Sequence, residues 1–252
     1  MMLVVVNQKG GVGKTTLAVH LAAWYEQRGL RVAFIDADGQ GSSTRWLTAA
    51  GWKITIVTET SADPILEAAA ALGTTHDVII ADGPASLAES TRALLLAADH
   101  ALLPCGVTVP ELESTAATLR MLLNARRVRG ADNPGAHLVL TRIRSERFLL
   151  TRDAREIVAR MGTPLCRHVL RLREAVADAA GQRTAVWMLG RRARAASREM
   201  LDLLMEIDGY ARTTINDGSP QLGGTVVCPG TNGQDAGGTH DRAEIGIIGT
   251  AA

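Results

Sequence analysis

Eight residues near the start of this 252-residue chain carry its clearest chemistry: Lys9-Gly10-Gly11-Val12-Gly13-Lys14-Thr15-Thr16. Glycines at 10, 11 and 13 permit backbone conformations that a Cβ forbids. A loop freed in this way can turn its N–H groups inward and cradle phosphate oxygens at a helix N-terminus. Lys14 brings a point charge to the β and γ phosphates of a nucleotide. Thr15 offers its hydroxyl to a Mg²⁺ ion. Two acidic stretches extend the set. Asp36-Ala37-Asp38-Gly39-Gln40-Gly41 and Asp82-Gly83-Pro84 each follow an apolar run, which puts carboxylates at strand ends. Carboxylates placed there can position a water or hold a cation through its water shell.

A phosphate-binding loop works only between a strand and a helix. Leu3-Val4-Val5-Val6 reads as a buried strand, and Leu17 to Tyr25 as the helix that follows the loop. The same alternation continues down the chain. Strands are expected over Arg31–Ile35, Lys53–Val57, Asp77–Asp82, Ala101–Cys105, His137–Thr141 and Leu165–Leu170. Helices are expected over Ser43–Ala50, from Ser61 or Asp63 to Leu72, and over Ser86–Ala97 and Glu111–Arg129. Further helices are expected over Glu146–Met161, Leu172–Ala180 and Ala193–Asp208. Strands and helices in alternation imply an α/β fold: a mostly parallel, twisted sheet with right-handed crossovers and helices on both faces. One domain is expected over residues 1–212. Residues 213–252 are rich in Gly and Thr without apolar periodicity and read as a disordered tail.

The hydrophobic fraction is 46% with 3% aromatic, so the core must be built from Leu, Val, Ile and Ala. A net charge of +1 hides an asymmetry. Residues 1–110 hold 7 Lys/Arg against 10 Asp/Glu, whereas residues 111–212 hold 19 against 12, all 19 being arginine. An arginine excess of that kind suits a polyanion-binding face. The three cysteines (Cys105, Cys166, Cys228) have no CxxC spacing, which fits a reducing cytosol and argues against a metal or cluster site. No signal peptide and no apolar run of membrane-spanning length is read, so a cytoplasmic protein is expected.

The usual loop pattern opens on a glycine five residues before Gly13, where this chain has Gln8. Read as K-G-G-V-G-K-T-T, the loop instead resembles the deviant Walker A motif of the ParA/MinD superfamily. Lys9 matches that family's signature lysine, which reaches across a dimer to the partner subunit's nucleotide. Asp36 to Ser42 resembles the family's D-x-D-P-Q-G-N, with Asp38 at the acid that positions the attacking water. Gly39 and Ser42 depart from that pattern. Asp82-Gly83-Pro84 resembles its Walker B motif, D-x-P-P, with Ala85 departing; this implies that Asp82 and Thr15 serve Mg²⁺. Thr141 and Arg142 match the region near the adenine. Val169 to Ala175 resembles V-R-L-S-E-A, which puts Arg171 at a DNA-contacting arginine. Arg173 adds a charge, and Arg191, Arg192 and Arg194 could extend the face.

The resemblance implies a partition ATPase of the ParA/Soj type. ATP and Mg²⁺ would form a sandwich homodimer that binds double-stranded DNA non-specifically and is nucleoid-associated. A ParB-like or other adaptor would stimulate hydrolysis and release the dimer, segregating a plasmid or chromosome. The alternative cargo is a microcompartment or chemoreceptor cluster moved by the same cycle. A MinD-like membrane ATPase needs a basic amphipathic C-terminal helix, which the Gly-rich tail does not offer, so no membrane is expected as a partner. A nitrogenase-iron-protein type needs paired cluster cysteines. A metabolic P-loop enzyme would answer to a small substrate rather than to DNA.

Overall fold

Every apolar run named above enters one sheet. The computed structural model describes residues 1–86, 89–130 and 133–216. Seven strands, β1 (Met2–Val5), β2 (Val32–Asp36), β3 (Ile54–Thr58), β4 (Val78–Asp82), β5 (His100–Cys105), β6 (Gly135–Ile143) and β7 (Leu170–Arg171), pair in the order β3-β2-β4-β1-β5-β6-β7. All the pairings are parallel. The strands are separated by α1 (Lys14–Glu26), α2 (Ser42–Ala50), α3 (Ala62–Gly73), α4 (Glu89–Ala97), α5 (Val109–Arg129) and α6 (Leu149–Ala159). After β7 come α7 (Glu174–Gly181), 3₁₀ turns at Val186–Leu189 and Arg191–Ala193, and α8 (Arg194–Asn216).

The side-chain period of a strand is two, so β1 feeds both faces of the sheet. Met2, Val4 and Val6 pack with Ile65, Leu94, Leu119 and Ala154 from α3 to α6. Leu3 and Val5 pack on the other side with Leu17, Leu21, Trp46 and Leu203 from α1, α2 and α8. A strand buried on both faces must be apolar throughout, which is why β1, β2 and β4 read as unbroken runs. Parallel strands all end at one edge. The register therefore brings Val5, Asp82 and Asp36 level with one another, at the mouth of the loop.

Of the helix expected over Ser86–Ala97, residues 87 and 88 lie outside the described residues. Three other segments depart from expectation. The strand expected over Leu165–Leu170 survives as a single bridge from Leu165 to Leu138 and the two-residue β7. Between them the Arg167 and His168 amides donate to the Glu206 carboxylate on α8, at 2.7 and 2.9 Å, instead of to β6. A charged acceptor outcompetes a neutral ladder carbonyl. α6 starts at Leu149 rather than Glu146, because Ser145 ties a turn to Arg147 and Thr151. α8 runs past Asp208 to Asn216, carried by the i,i+4 pairs Glu206–Tyr210 and Asp208–Arg212. The tail expected from 213 thus begins inside α8, and residues 217–252, Cys228 among them, lie outside the described residues. Cys105 and Cys166 are buried free thiols. Among the described residues no helix is long and apolar enough to cross a membrane.

His20 is fully buried on α1, edge-on to Trp46 and Trp187. The Val186 N–H donates to its Nε2 at 3.1 Å, so Nδ1 carries the proton and donates to the Thr16 carbonyl at 2.7 Å. That tautomer is neutral, and burial pulls the His20 pKa down to about 4. The ordinary value is about 6.5, so below that the unfolded chain takes up a proton that the folded one refuses. The stability due to neutral His20 is whole above pH ~6.5 and drains away as pH falls toward ~4, by on the order of 3 kcal/mol. His20→Gln should therefore flatten the fall of melting temperature between pH 6.5 and 4 by about one proton. An unchanged slope in circular-dichroism melts would exclude His20 as the titrating group.

Candidate active site

The loop expected to hold phosphate occupies the turn between β1 and α1. Gly13 precedes α1 at φ +92°, and Gly11 stands at φ +74°; L side chains are strained in both places. Lys14, the first residue of α1, is 6% exposed and donates its Nζ to the Lys9 carbonyl at 3.1 Å. Burial lowers its pKa, and the carboxylates of Asp82 and Asp38 act against that fall. Lys9 itself is exposed. The glycines, Val12, the two lysines, Thr15 and Thr16 thus share one loop and helix start, as their spacing predicts.

Asp82 closes β4 beneath this loop. Its Oδ2 accepts the Thr15 hydroxyl at 2.7 Å. Its Oδ1 is buried and has no hydrogen-bond partner among the described residues. Burial lifts its pKa to about 7, against the pull of the Thr15 hydrogen bond. A buried carboxylate oxygen without a donor is costly unless a cation or its water completes the site. The Thr15 hydroxyl and the Asp82 carboxylate are the hard oxygen donors a Mg²⁺ ion prefers, so this pair fits the cation.

Asp36 and Asp38 divide the work at the end of β2. Asp36 is fully buried, and its Oδ2 accepts both the amide and the hydroxyl of Thr44 on α2, at 2.9 and 2.6 Å. Its Oδ1 accepts the Asp38 amide at 3.2 Å. Asp36 therefore anchors the turn, and half-buried Asp38 is the acid left at the mouth. Asp38 also caps its own turn, accepting the Gln40 amide at 3.0 Å.

Several residues that hold the site carry no motif. The Thr141 hydroxyl, buried in β6, donates to the Val12 carbonyl at 2.7 Å. Thr141, expected near the adenine, is thus a strut under the phosphate loop. Arg142 stands at φ +59° with its guanidinium 3.5 Å from Glu111. Buried Asn7 and half-buried Thr44 are likewise polar tethers. For Asp36 the D-x-D spacing was a usable signal; for a lone Asn or Thr there was none.

Arg171 and Arg173 come together in an ion-pair network. Arg171 meets Glu146 at 2.6 Å and Glu199 at 3.2 Å, and Arg173 meets Glu199 at 2.6 Å. The pairs are partly exposed, and exposed pairs contribute about 0–1 kcal/mol, so a phosphate could compete for these guanidiniums. Arg192 faces Asp178 at 3.3 Å, while Arg191 and Arg194 make no ion pair among the described residues.

The family model of the CobQ/CobB/MinD/ParA nucleotide-binding domain matches residues 3–186. The maintenance of carboxysome distribution protein A of Halothiobacillus neapolitanus is 30% identical over 211 residues, spanning 81% of this chain and 95% of that protein. The chromosome-partitioning ATPase Soj of Thermus thermophilus is 28% identical over 53% of this chain and 64% of its own length. In three dimensions, the ATP complex of McdA from Cyanothece superposes with a TM-score of 0.63, at 20% identity, over 89% of this chain and 98% of that chain.

Proposed function

The chain belongs to the CobQ/CobB/MinD/ParA family of nucleotide-binding proteins, and from that premise we propose that it uses ATP to move a cargo along DNA. It is a P-loop ATPase of the ParA/MinD superfamily, working with ATP and Mg²⁺. Phosphates lie in the loop from Lys9 to Thr16, against Lys14. Thr15 and Asp82 would hold the Mg²⁺, which when bound would supply screening of phosphate charge. Asp38 orients the water that attacks the γ phosphate, held in place by Asp36. Lys9 reaches the nucleotide of a second copy, so ATP drives dimerisation. The single observation that carries this reading is the double-lysine loop: a buried Lys14 above the Thr15–Asp82 pair, with Lys9 left exposed.

The dimer binds double-stranded DNA without sequence preference through Arg171 and Arg173, and an adaptor on the cargo stimulates hydrolysis and releases it. Spacing of microcompartments is the favoured cargo reading, because the carboxysome-distribution relative aligns over 95% of its length. Plasmid or chromosome segregation is the second, favoured by the likeness to Soj.

The test is a DNA shift assay with ATP, ADP or no nucleotide, at two salt concentrations. Binding is expected only with ATP, and should fall steeply with salt as counterions compete for the arginines. Arg171→Glu should lose DNA while keeping the ATP dimer in sedimentation. Equal binding in all three nucleotide states, or in none, removes DNA as the track.

A further inference from the structure

The residue just before the phosphate loop is held more tightly than the loop itself. Asn7 is 1% exposed, and its side chain uses all four of its hydrogen-bonding positions. Its Nδ2 donates to the Pro104 carbonyl at 2.7 Å and to the Thr115 hydroxyl at 2.9 Å. Its Oδ1 accepts the Lys9 amide at 3.0 Å and the Ser114 hydroxyl at 2.9 Å. The next amide, that of Gln8, donates to the Thr118 hydroxyl at 3.2 Å. Ser114, Thr115 and Thr118 all stand on α5 and turn their hydroxyls to the loop entrance.

Every proton in this cluster has one consistent place. Thr115 accepts from Asn7 and donates its own proton to the Glu111 carbonyl at 2.9 Å. Thr118 accepts from Gln8 and donates to the Ser114 carbonyl at 3.1 Å. Hydroxyls that bond back to the preceding turn weaken a helix, and Ser and Thr are poor helix formers. Thr115 and Thr118 both bond back in this way, a local cost to α5. What they secure is the backbone at Gln8 and Lys9. Lys9 sits at the exposed end of this anchor, along a groove it shares with Gln8, Pro110, Glu113 and Ser114.

We propose that Asn7 and the hydroxyl face of α5 form a clamp that fixes the direction of the Lys9 arm, making Asn7 a positioning residue for the contact between subunits. The inference rests on the reading of Lys9 as the residue that reaches a second copy's nucleotide. A long, exposed lysine loses much side-chain entropy on docking. Fixing its backbone in advance spares the association step the further cost of ordering the chain that carries it.

The chain has only three lysines, 9, 14 and 53, so ¹⁵N-lysine labelling yields three backbone amide signals. In the nucleotide-free protein, Asn7→Ala should speed hydrogen exchange at Lys9 by about five- to tenfold, the loss of one hydrogen bond. The Lys53 amide, bonded to Glu26, should stay as it was. Thr118→Val, which frees the Gln8 amide without touching Asn7, should act in the same direction more weakly, and serves if Asn7→Ala does not fold. In sedimentation with ATP and Mg²⁺, in an Asp38→Ala background, Asn7→Ala should weaken the dimer by about tenfold. In the absence of the Lys9 side chain it should do almost nothing more, because its effect passes through that side chain. Unchanged Lys9 exchange, or losses from Asn7→Ala and Lys9→Ala that simply multiply, would overturn the clamp while leaving the Lys9 reading intact. A dimer indifferent to Lys9→Ala would overturn that reading and the clamp with it.

Discussion

Lys14→Ala should reduce ATP affinity by about a hundredfold or more, while Asp38→Ala should keep ATP and slow its hydrolysis by about 10²–10⁴-fold. The two residues belong to one site but serve different steps. Lys14 is buried under the loop with its ammonium on the Lys9 carbonyl, an arrangement that bound phosphate would replace with a charge-assisted contact. Alanine there leaves a negative ligand facing Asp82 and Asp38 without the buried ammonium that offsets them. Asp38 lies on the turn beyond β2, tied to Asp36 and Gln40 through backbone amides. Its removal leaves the cradle intact, costs the turn its bond to the Gln40 amide, and on the proposed reading takes away the group that orients water. Nucleotide-binding titration beside single-turnover hydrolysis separates the two variants. An Asp38→Ala protein that hydrolyses at the parental rate would remove Asp38 from the reaction.

Asp82→Asn should raise the melting temperature of the nucleotide-free protein by roughly 5 °C and abolish the extra rise that Mg²⁺ adds to ATP. The sign of the first effect is unusual for an active-site change, and it follows from burial. Asp82 holds a carboxylate with one oxygen unpartnered among the described residues, one strand away from the buried Asp36. An amide in its place can still accept from Thr15 and brings no charge. Its unmet donor costs about 1–3 kcal/mol, less than a buried charge. The gain is taken back once the cation is offered, because a neutral amide is a poor ligand for Mg²⁺. Melts without nucleotide, with ATP and chelator, and with ATP and Mg²⁺ measure both effects. A variant that melts lower without nucleotide, yet keeps the Mg²⁺ increment, would place the cation elsewhere.

Much of this was legible in the sequence because glycine, charge and strand period each leave a pattern. The K-G-G-V-G-K-T-T loop fixed its own context. The apolar runs ending in Asp36 and Asp82 marked two strands whose ends must be level in a parallel sheet. The supports were not legible. Asn7, Thr44, Thr115, Thr118 and Thr141 act through individual hydrogen bonds, one or more each, to groups between 2 and 129 positions away, and no spacing rule encodes such a bond. The strand expected at Leu165–Leu170 failed for a similar reason. Its apolar residues suit a ladder, but Glu206, far along the chain, captures two of its amides. Arg171 and Arg173 were visible as charges, whereas their carboxylate partners Glu146 and Glu199 became visible only in the fold.

The strand order also sets the time at which this protein can first bind nucleotide as it leaves the ribosome. β1 is made first, yet its neighbours are β4 and β5. Apart from the Lys9 amide, Asn7 finds its partners 97 to 108 residues later, Thr15 finds Asp82 after 67, and the Val12 carbonyl finds Thr141 after 129. At about 5–20 residues per second of synthesis, the loop exists for several seconds as sequence alone. Until Asp82 is made no carboxylate can stand under Thr15, and until Thr141 is made the Val12 carbonyl lacks its strut. The nucleotide cradle of a nascent chain is therefore complete only once β6 has been made and docked.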